Sequence, residues 1–246
     1  MLISLVTAVR NRADTVGDAL RSLQSQSFGH WEHVVQDGAS TDGTLEVVAR
    51  LADGRTRIES VPDGGAYEAM NRGLARARGD VLGLLHSDDL LADAEVLADV
   101  SRAFEDPAVD AVYGDLLYVA RDDPSRVRRT WRSRPFEPRL LRRGWMPPHP
   151  TLFLRRELVE RHGAFDTGLR ISADYDAVLR YFRSPAFRAV HIPRVLVRMR
   201  VGGQSNRSLP QVLRKSHEDL AVLRRHRVGG LGALAAKNLG KLGQFF

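Results

Sequence analysis

The chain has 246 residues, 43% of them hydrophobic, a formal charge of +7 and no cysteine. That is enough apolar material for one α/β domain with a short appendage, and it excludes a disulfide scaffold and thiolate chemistry, as suits a reducing cytoplasm. No apolar run approaches the about 20 residues of a bilayer span.

Residues 1–9 lack the basic start of a signal peptide and are cut short by Arg10 and Arg12, so residues 3–9 read as a first strand. Asp14 is placed to cap a helix whose apolar positions Val16, Ala19, Leu20 and Leu23 follow helical spacing. A second strand over 32–36 ends at Asp37, and the polar turn DGASTDG at 37–43 leads into a helix over 44–52. A third strand over 57–61 runs to Asp63-Gly64-Gly65, and a helix over 67–77 packs Ala69, Met70, Gly73, Leu74 and Ala77. This is the βαβ rhythm of a parallel sheet.

The stretch VLGLLHSDDL at 81–90 organises the pattern, being a short apolar run bounded by Gly79-Asp80 and Asp88-Asp89, as a buried parallel strand is. Two carboxylates thus stand at a strand's carboxyl end. Open α/β sheets bind ligands at that edge, where carboxylates can hold a divalent cation against a diphosphate. Alone, Ser-Asp-Asp reads equally as a solvated turn and N-cap, so the weight rests on its company.

Asp93 is placed to cap a helix with Val96, Leu97, Val100 and Phe104 on one face, ended by Pro107. Strands over 111–113 and 116–119 flank Gly114-Asp115, and the arginines between 126 and 143 read as a surface excursion. A strand over 151–154, a short helix over 157–162 and a helix over 174–182 with Ala177, Val178 and Tyr181 at core spacing follow. Strands over 189–192 and 195–199 then lead to a loop over 202–206, and Leu209, Val212, Leu213, Leu220 and Leu223 mark a last long helix.

Four features stand in order: the first strand running into Arg10-Asn11-Arg12, the 37–43 turn, DGGAYEAMNRG at 63–73, and Ser87-Asp88-Asp89. Their order and spacing resemble the family 2 glycosyltransferases of the GT-A fold, in particular small bacterial enzymes that build capsular, colanic-acid-like and lipid-linked glycans. GAFD at 163–166 and ADYD at 173–176 extend the resemblance to about residue 205. The fold it implies is a Rossmann-like, mostly parallel sheet flanked by helices over 1–208, with a C-terminal helical extension over 209–246.

The resemblance also implies roles. Asp37 matches the carboxylate that hydrogen-bonds the nucleotide base, with Ala8 and Arg10 beside it; Asp37 equally suits a turn-closing contact. Arg10 replaces the aromatic residue of many relatives, and a guanidinium can stack on a ring. Gly65, Tyr67 and Asn71 are expected near the donor, Ser87 and Asp88 at the ribose and donor sugar, and Asp89 on Mg or Mn. Asp174 matches the general base and Asp176 is the runner-up, while an N-cap role suits Asp174 as well. Trp145 and His149 precede the 151–154 strand and, with Asp176, are candidates for the acceptor, His149 equally for a phosphate, against plain packing for Trp145 and a satisfied structural histidine for His149.

The expectation is an inverting, metal-dependent transfer of one sugar from a nucleotide-sugar donor to a glycan or lipid-linked acceptor in cell-envelope polysaccharide or glycolipid synthesis. Two rivals stand beside it: a nucleotidyltransferase acting on sugar phosphates, and a basic nucleic-acid-binding protein. Carboxylates at successive strand ends repel a phosphate backbone, so no nucleic-acid partner is expected. At the C-terminus, Leu231, Leu234, Ala235, Leu239, Leu242 and Phe245 share a helical face beside Lys237 and Lys241. Such a face suits peripheral contact with an anionic membrane on its cytoplasmic side, or packing on the domain or a second copy in a homodimer.

Overall fold

The computed structural model describes residues 1–202 and 209–239. Two seven-residue strands, β1 (Ile3–Val9) and β2 (Trp31–Asp37), are buried along almost their whole length. Strands read this way when helices cover both faces of a parallel sheet. β1 pairs in parallel with β2 on one side and with β4 (Val81–Leu84) on the other, and β2 pairs in parallel with β3 (Thr56–Ser60). The crossovers are α1 (Val16–Gln24), α2 (Thr44–Leu51) and α3 (Ala66–Arg76). Strand order therefore reverses at β1, and a crevice opens beyond the carboxyl ends of β1 and β4, where such sheets take ligands.

Past β4 the sheet becomes mixed. β8 (Phe153–Arg155) runs antiparallel to β4 and to β6 (Ala111–Val119), β6 is parallel to β9 (Ala189–Arg200), and β5 (Asp89–Leu91) lies antiparallel to β9 at the edge. β7 (Val127–Trp131) returns antiparallel on β6, giving a nine-stranded sheet among the described residues. Helix α4 (Val96–Ala103) packs on one face. On the other lie α6 (Arg156–His162), α7 (Ala173–Phe182), α8 (Leu209–Arg225) and α9 (Leu231–Leu239), with a short α5 (Pro138–Leu141).

Several expectations need correction. β6 and β9 are each one strand, because Gly114-Asp115 and Pro193-Arg194 form an irregularity in a continuous pairing, with Gly114 opposite Ile192 and Asp115 opposite Val195. Proline has no N–H for a ladder and is accommodated at such bulges. Gly114 is required there, since a Cβ would lie 2.8 Å from the Arg194 carbonyl oxygen. The arginine-rich excursion is partly regular, carrying β7 and α5. Thr151 closes a 3-10 turn (His149–Thr151) before β8. Neither proposed aspartate caps its helix: Asp14 pairs with Arg121 at 2.8 Å, and Asp93 accepts the Glu95 N–H at 2.9 Å while pairing with Arg194.

The C-terminal face also differs. Lys237 is 8% exposed, whereas Leu231 is 68% and Leu213 71% exposed. α8 and α9 reach the core through Val222, Leu223 and Ala233. Leu242, Phe245 and Lys241, and residues 203–206 of the expected loop, lie outside the described residues. Among the described residues no helix is long and apolar enough to cross a membrane.

Candidate active site

Three parallel strands deliver polar residues to the crevice. Beyond β1, Arg10 is exposed and Ala8 half-buried. At the end of β2, Asp37 is fully buried and accepts hydrogen bonds from the Ser40 N–H at 2.9 Å and the Ser60 hydroxyl at 2.6 Å, and from the Ser40 hydroxyl. This is the turn-closing alternative, and it leaves Asp37 no surface to offer a base. The accessible groups at this corner are Arg10 and Asp63, which crowd the Gly38 backbone: a Cβ there would lie 3.3 Å from Arg10 Cδ and 2.4 Å from Asp63 Oδ2.

At the end of β4 the two carboxylates part. Asp88 is half-buried and its carboxylate has no hydrogen-bond partner among the described residues. Asp89, the expected metal ligand, enters β5 and is 1% exposed. Its Oδ1 accepts the Arg200 N–H at 3.3 Å, and its Oδ2 is buried without a partner. Burial, with Asp88 adjacent, pushes the Asp89 carboxyl well above the usual carboxylate range. Asp88 is thus the more accessible carboxylate, while Asp89 keeps one oxygen, Oδ2, without a protein partner. Ser87 is 7% exposed.

Opposite this edge stands Asp174, half-buried in the first turn of α7, with Oδ1 accepting the Tyr175 N–H at 2.8 Å. Two histidines that the motif reading left weakly assigned or unassigned, His149 and His86, lie beside one another, their ring centroids 5.9 Å apart. Burial drives the His149 pKa down to about 4 against the opposing charge of Asp174, and both of its ring nitrogens lack a partner. Burial also lowers His86, opposed by Asp88 and Asp174. The site thus holds two imidazoles side by side whose burial disfavours the charged form, both acted on by Asp174 and one also by Asp88. His86 carries no signal of its own in the sequence beyond preceding Ser87-Asp88-Asp89.

Tyr67 and Asn71 serve the site indirectly. The Tyr67 hydroxyl donates to the Ile171 carbonyl at 2.6 Å, and Asn71 donates to the Phe165 carbonyl at 2.8 Å while accepting the Phe165 N–H at 2.9 Å. Both bind α3 to the segment leading to Asp174 rather than presenting free polar groups to a donor. Gly65, with φ of 136°, is the non-helical residue that starts α3. Asp176 is 1% exposed and its carboxylate takes His226 at 2.8 Å, Arg180 at 2.9 Å and Arg225 at 3.3 Å. That engagement removes it as a base or acceptor contact. Trp145 packs among Tyr113, Phe136 and Phe182, with centroids 5.8 to 6.2 Å away, which is the packing role.

The free Asp88 carboxylate and the orphaned Asp89 oxygen beneath it are hard oxygen donors that fit Mg or Mn. Among the described residues no group of three or more acidic, histidine or cysteine side chains converges on a metal. A cation here would take its remaining ligands from a bound diphosphate and water.

Comparison with known proteins bears on this geometry. The family model described as glycosyl transferase family 2 matches residues 4–163. A PGL/p-HBAD biosynthesis glycosyltransferase of Mycobacterium bovis is 34% identical over 197 residues, spanning 78% of this chain and 74% of the relative. An uncharacterized glycosyltransferase of Mycobacterium tuberculosis is 32% identical over 185 residues, 72% of this chain and 68% of the relative. Among solved structures, Staphylococcus aureus TarS 1-349 in complex with UDP-GlcNAc matches with TM-score 0.70 at 18% identity, over 93% of this chain and 66% of that one. The mannosyltransferase PcManGT of Pyrobaculum calidifontis, in complex with GDP-Man and Mn2+, matches with TM-score 0.68 at 22% identity, over 96% of this chain and 68% of that one. The chain thus spans about two thirds of the length of these structural neighbours, whose likeness establishes the GT-A fold.

Proposed function

The chain belongs to glycosyl transferase family 2, and on that premise we propose that it moves one sugar, with inversion and with a divalent cation, from a nucleoside-diphosphate sugar to a hydroxyl of a glycan or lipid-linked acceptor in cell-envelope synthesis. The observation that carries this reading is that two carboxylates from different parts of the chain, Asp88 after β4 and Asp174 at the start of α7, both act on His86, whose ring lies 5.9 Å from that of His149. A base and a diphosphate site facing one space are what a single displacement needs.

Asp174 takes the proton of the acceptor hydroxyl as that oxygen bonds to the anomeric carbon, and the bond from that carbon to the diphosphate oxygen breaks on the opposite face. Asp88, with the unpartnered Oδ2 of Asp89 beside it, would hold the cation, which would supply neutralisation of the charge on a leaving diphosphate. His149, kept neutral, offers one nitrogen that accepts and one that donates to the acceptor or the donor phosphate. Arg10 and Asp63, the accessible groups beside Gly38, would flank the nucleotide's ring. The nucleotide sugars bound by the two structural neighbours support this donor class. Family membership also displaces the nucleotidyltransferase and nucleic-acid-binding rivals.

The test is nucleoside diphosphate release from a panel of UDP, GDP and dTDP sugars, with Mn and with excess chelator. Turnover of at least one donor, lost on chelation, is expected. No turnover across the panel would remove the donor class, and full turnover in chelator would remove the cation.

A further inference from the structure

We propose that Glu218 is a positioning residue for Asp174, so that the C-terminal helices are part of the catalytic apparatus. The inference rests on the proposed role of Asp174 as base. The family match ends at residue 163, and nothing in that match assigns α8 or α9 a task.

The segment entering α7 is held from below by α8. Glu218 Oε2 accepts the Ile171 N–H at 2.9 Å and the Ser172 N–H at 3.0 Å, and Oε1 accepts the Arg170 N–H at 3.3 Å. One carboxylate thus fixes three consecutive peptide groups immediately before α7, the last of them at its N-cap, Ser172. Those N–H groups lie on the approach to a helix, where no intrahelical carbonyl is available to them. A charged acceptor is suited to that end of a helix dipole.

A second layer lies behind the first. The Ser172 hydroxyl donates to Asp219 Oδ1 at 2.8 Å, and Lys237 of α9 pairs with the same oxygen at 2.8 Å. Lys237 Nζ also lies 3.1 Å from the Tyr175 ring centroid. Ser172, Tyr175 and Asp219 are each 1% exposed and Lys237 8%. Burial lowers the Lys237 pKa to about 8, opposed by Asp219 and by Asp174 itself. α9 is seated by Gly144, with φ of 70°, where a Cβ would lie 2.6 Å from Lys237 Cβ. The residues on both sides of Asp174, Ser172 and Tyr175, therefore rest on groups from α8 and α9. Tyr67 holds the same segment from α3 through Ile171.

A base must meet its proton within hydrogen-bond reach, and a misplacement of about 1 Å can lower rate about 100-fold without touching binding. The experiment compares Glu218→Ala, Glu218→Gln and Asp174→Asn in the full chain. The readouts are kcat and KM for the nucleotide sugar that the wild type turns over fastest in the UDP, GDP and dTDP panel, donor Kd by calorimetry, and Tm. Glu218→Ala should lower kcat about 10- to 100-fold with donor Kd within about 3-fold of wild type. Glu218→Gln keeps an amide oxygen for the Ile171 and Ser172 N–H groups and should recover most of kcat. Wild-type kcat in Glu218→Ala alongside a crippled Asp174→Asn overturns the positioning role and leaves the base standing. Loss of donor affinity in proportion to kcat, with no recovery in Glu218→Gln, also overturns it by assigning Glu218 to the fold alone. Wild-type turnover in Asp174→Asn removes the base reading instead.

Discussion

Asn71 and Phe165 exchange two hydrogen bonds, the amide donating to the Phe165 carbonyl at 2.8 Å and accepting its N–H at 2.9 Å. A side chain on the third crossover helix thereby stands in for a backbone partner and fastens the GAFD turn. Tyr67, one helical turn earlier, fastens Ile171 and stacks near Phe165 at 5.4 Å. Asn71→Ala leaves both Phe165 groups without their partner and should cost about 1–3 kcal/mol in urea unfolding. Because the same segment carries Asp174, kcat should fall further than donor affinity.

The two neighbouring carboxylates should separate in a cation titration. Asp88→Ala should abolish the Mn-dependent part of donor binding, since Asp88 is the carboxylate left accessible. Asp89→Asn should weaken it less, because Asp89 Oδ1 is engaged by the Arg200 N–H and only the buried Oδ2 is left for an ion. Mn-dependent calorimetry on the two variants decides the assignment, and the reverse pattern would restore Asp89 as the ligand.

Asp176 should prove a stability residue. Burial pushes its carboxyl up, but His226 and Arg180 outweigh that and hold it below the ordinary carboxylate value. A folded value below the unfolded one contributes stability above the unfolded pKa, and that contribution is lost as pH falls through the folded pKa. Asp176→Asn leaves Arg180 and His226 short of their counter-charge and should cost about 3 kcal/mol. In the fraction that remains folded, turnover should be near wild type. Denaturant unfolding with turnover per folded molecule checks both statements.

His33 should set part of the acid stability. It is 1% exposed in the middle of β2, shares a 2.9 Å hydrogen bond with Thr7, and burial lowers its pKa to about 4 against a weaker pull from Asp53. Between pH 6.5 and about 4 the unfolded chain binds a proton that the folded chain refuses. Stability should fall across that window by roughly 3 kcal/mol from this residue. His33→Leu should flatten the slope, and an unchanged slope in urea midpoints from pH 7 to pH 4.5 would contradict the assignment.

The parallel half of the sheet was legible from β1 to Asp88 because β1 and β4 are short apolar runs ended by polar residues, and each helix between them shows one packed face, which places even the polar, exposed β3 by alternation. Beyond Ala111 the same signals mislead. Gly114-Asp115 and Pro193-Arg194 look like breaks, yet the two irregularities face one another and the ladder continues across them. Lys237 looks like the charged flank of an apolar stripe, while its pairing with Asp219 and contact with Tyr175 carry it inside. Periodicity cannot foresee that, because the partner lies on a different helix.

In the candidate site, motif order located the strand ends, and only the fold shows what each side chain touches. Asp174 and Asp176 lie two positions apart, about 200° around a helix, so they face nearly opposite ways. The sequence offered both as bases; the structure gives one to the crevice and the other to a buried ion network. Asp37 kept its turn-closing alternative for a similar reason, since Ser40 and Ser60 are supplied by the turn and by β3. His86 carries no sequence signal because the neighbours that mark it in the fold, His149 and Asp174, are distant in sequence.

The most direct measurement is single-turnover transfer by Asp174→Asn beside donor binding by the same protein. A positioned base contributes about 100- to 10,000-fold. The variant should lose that much rate with donor Kd within about 3-fold of wild type. Rate equal to wild type in Asp174→Asn, or a dead Asp176→Asn beside an active Asp174→Asn, would contradict Asp174 as the base.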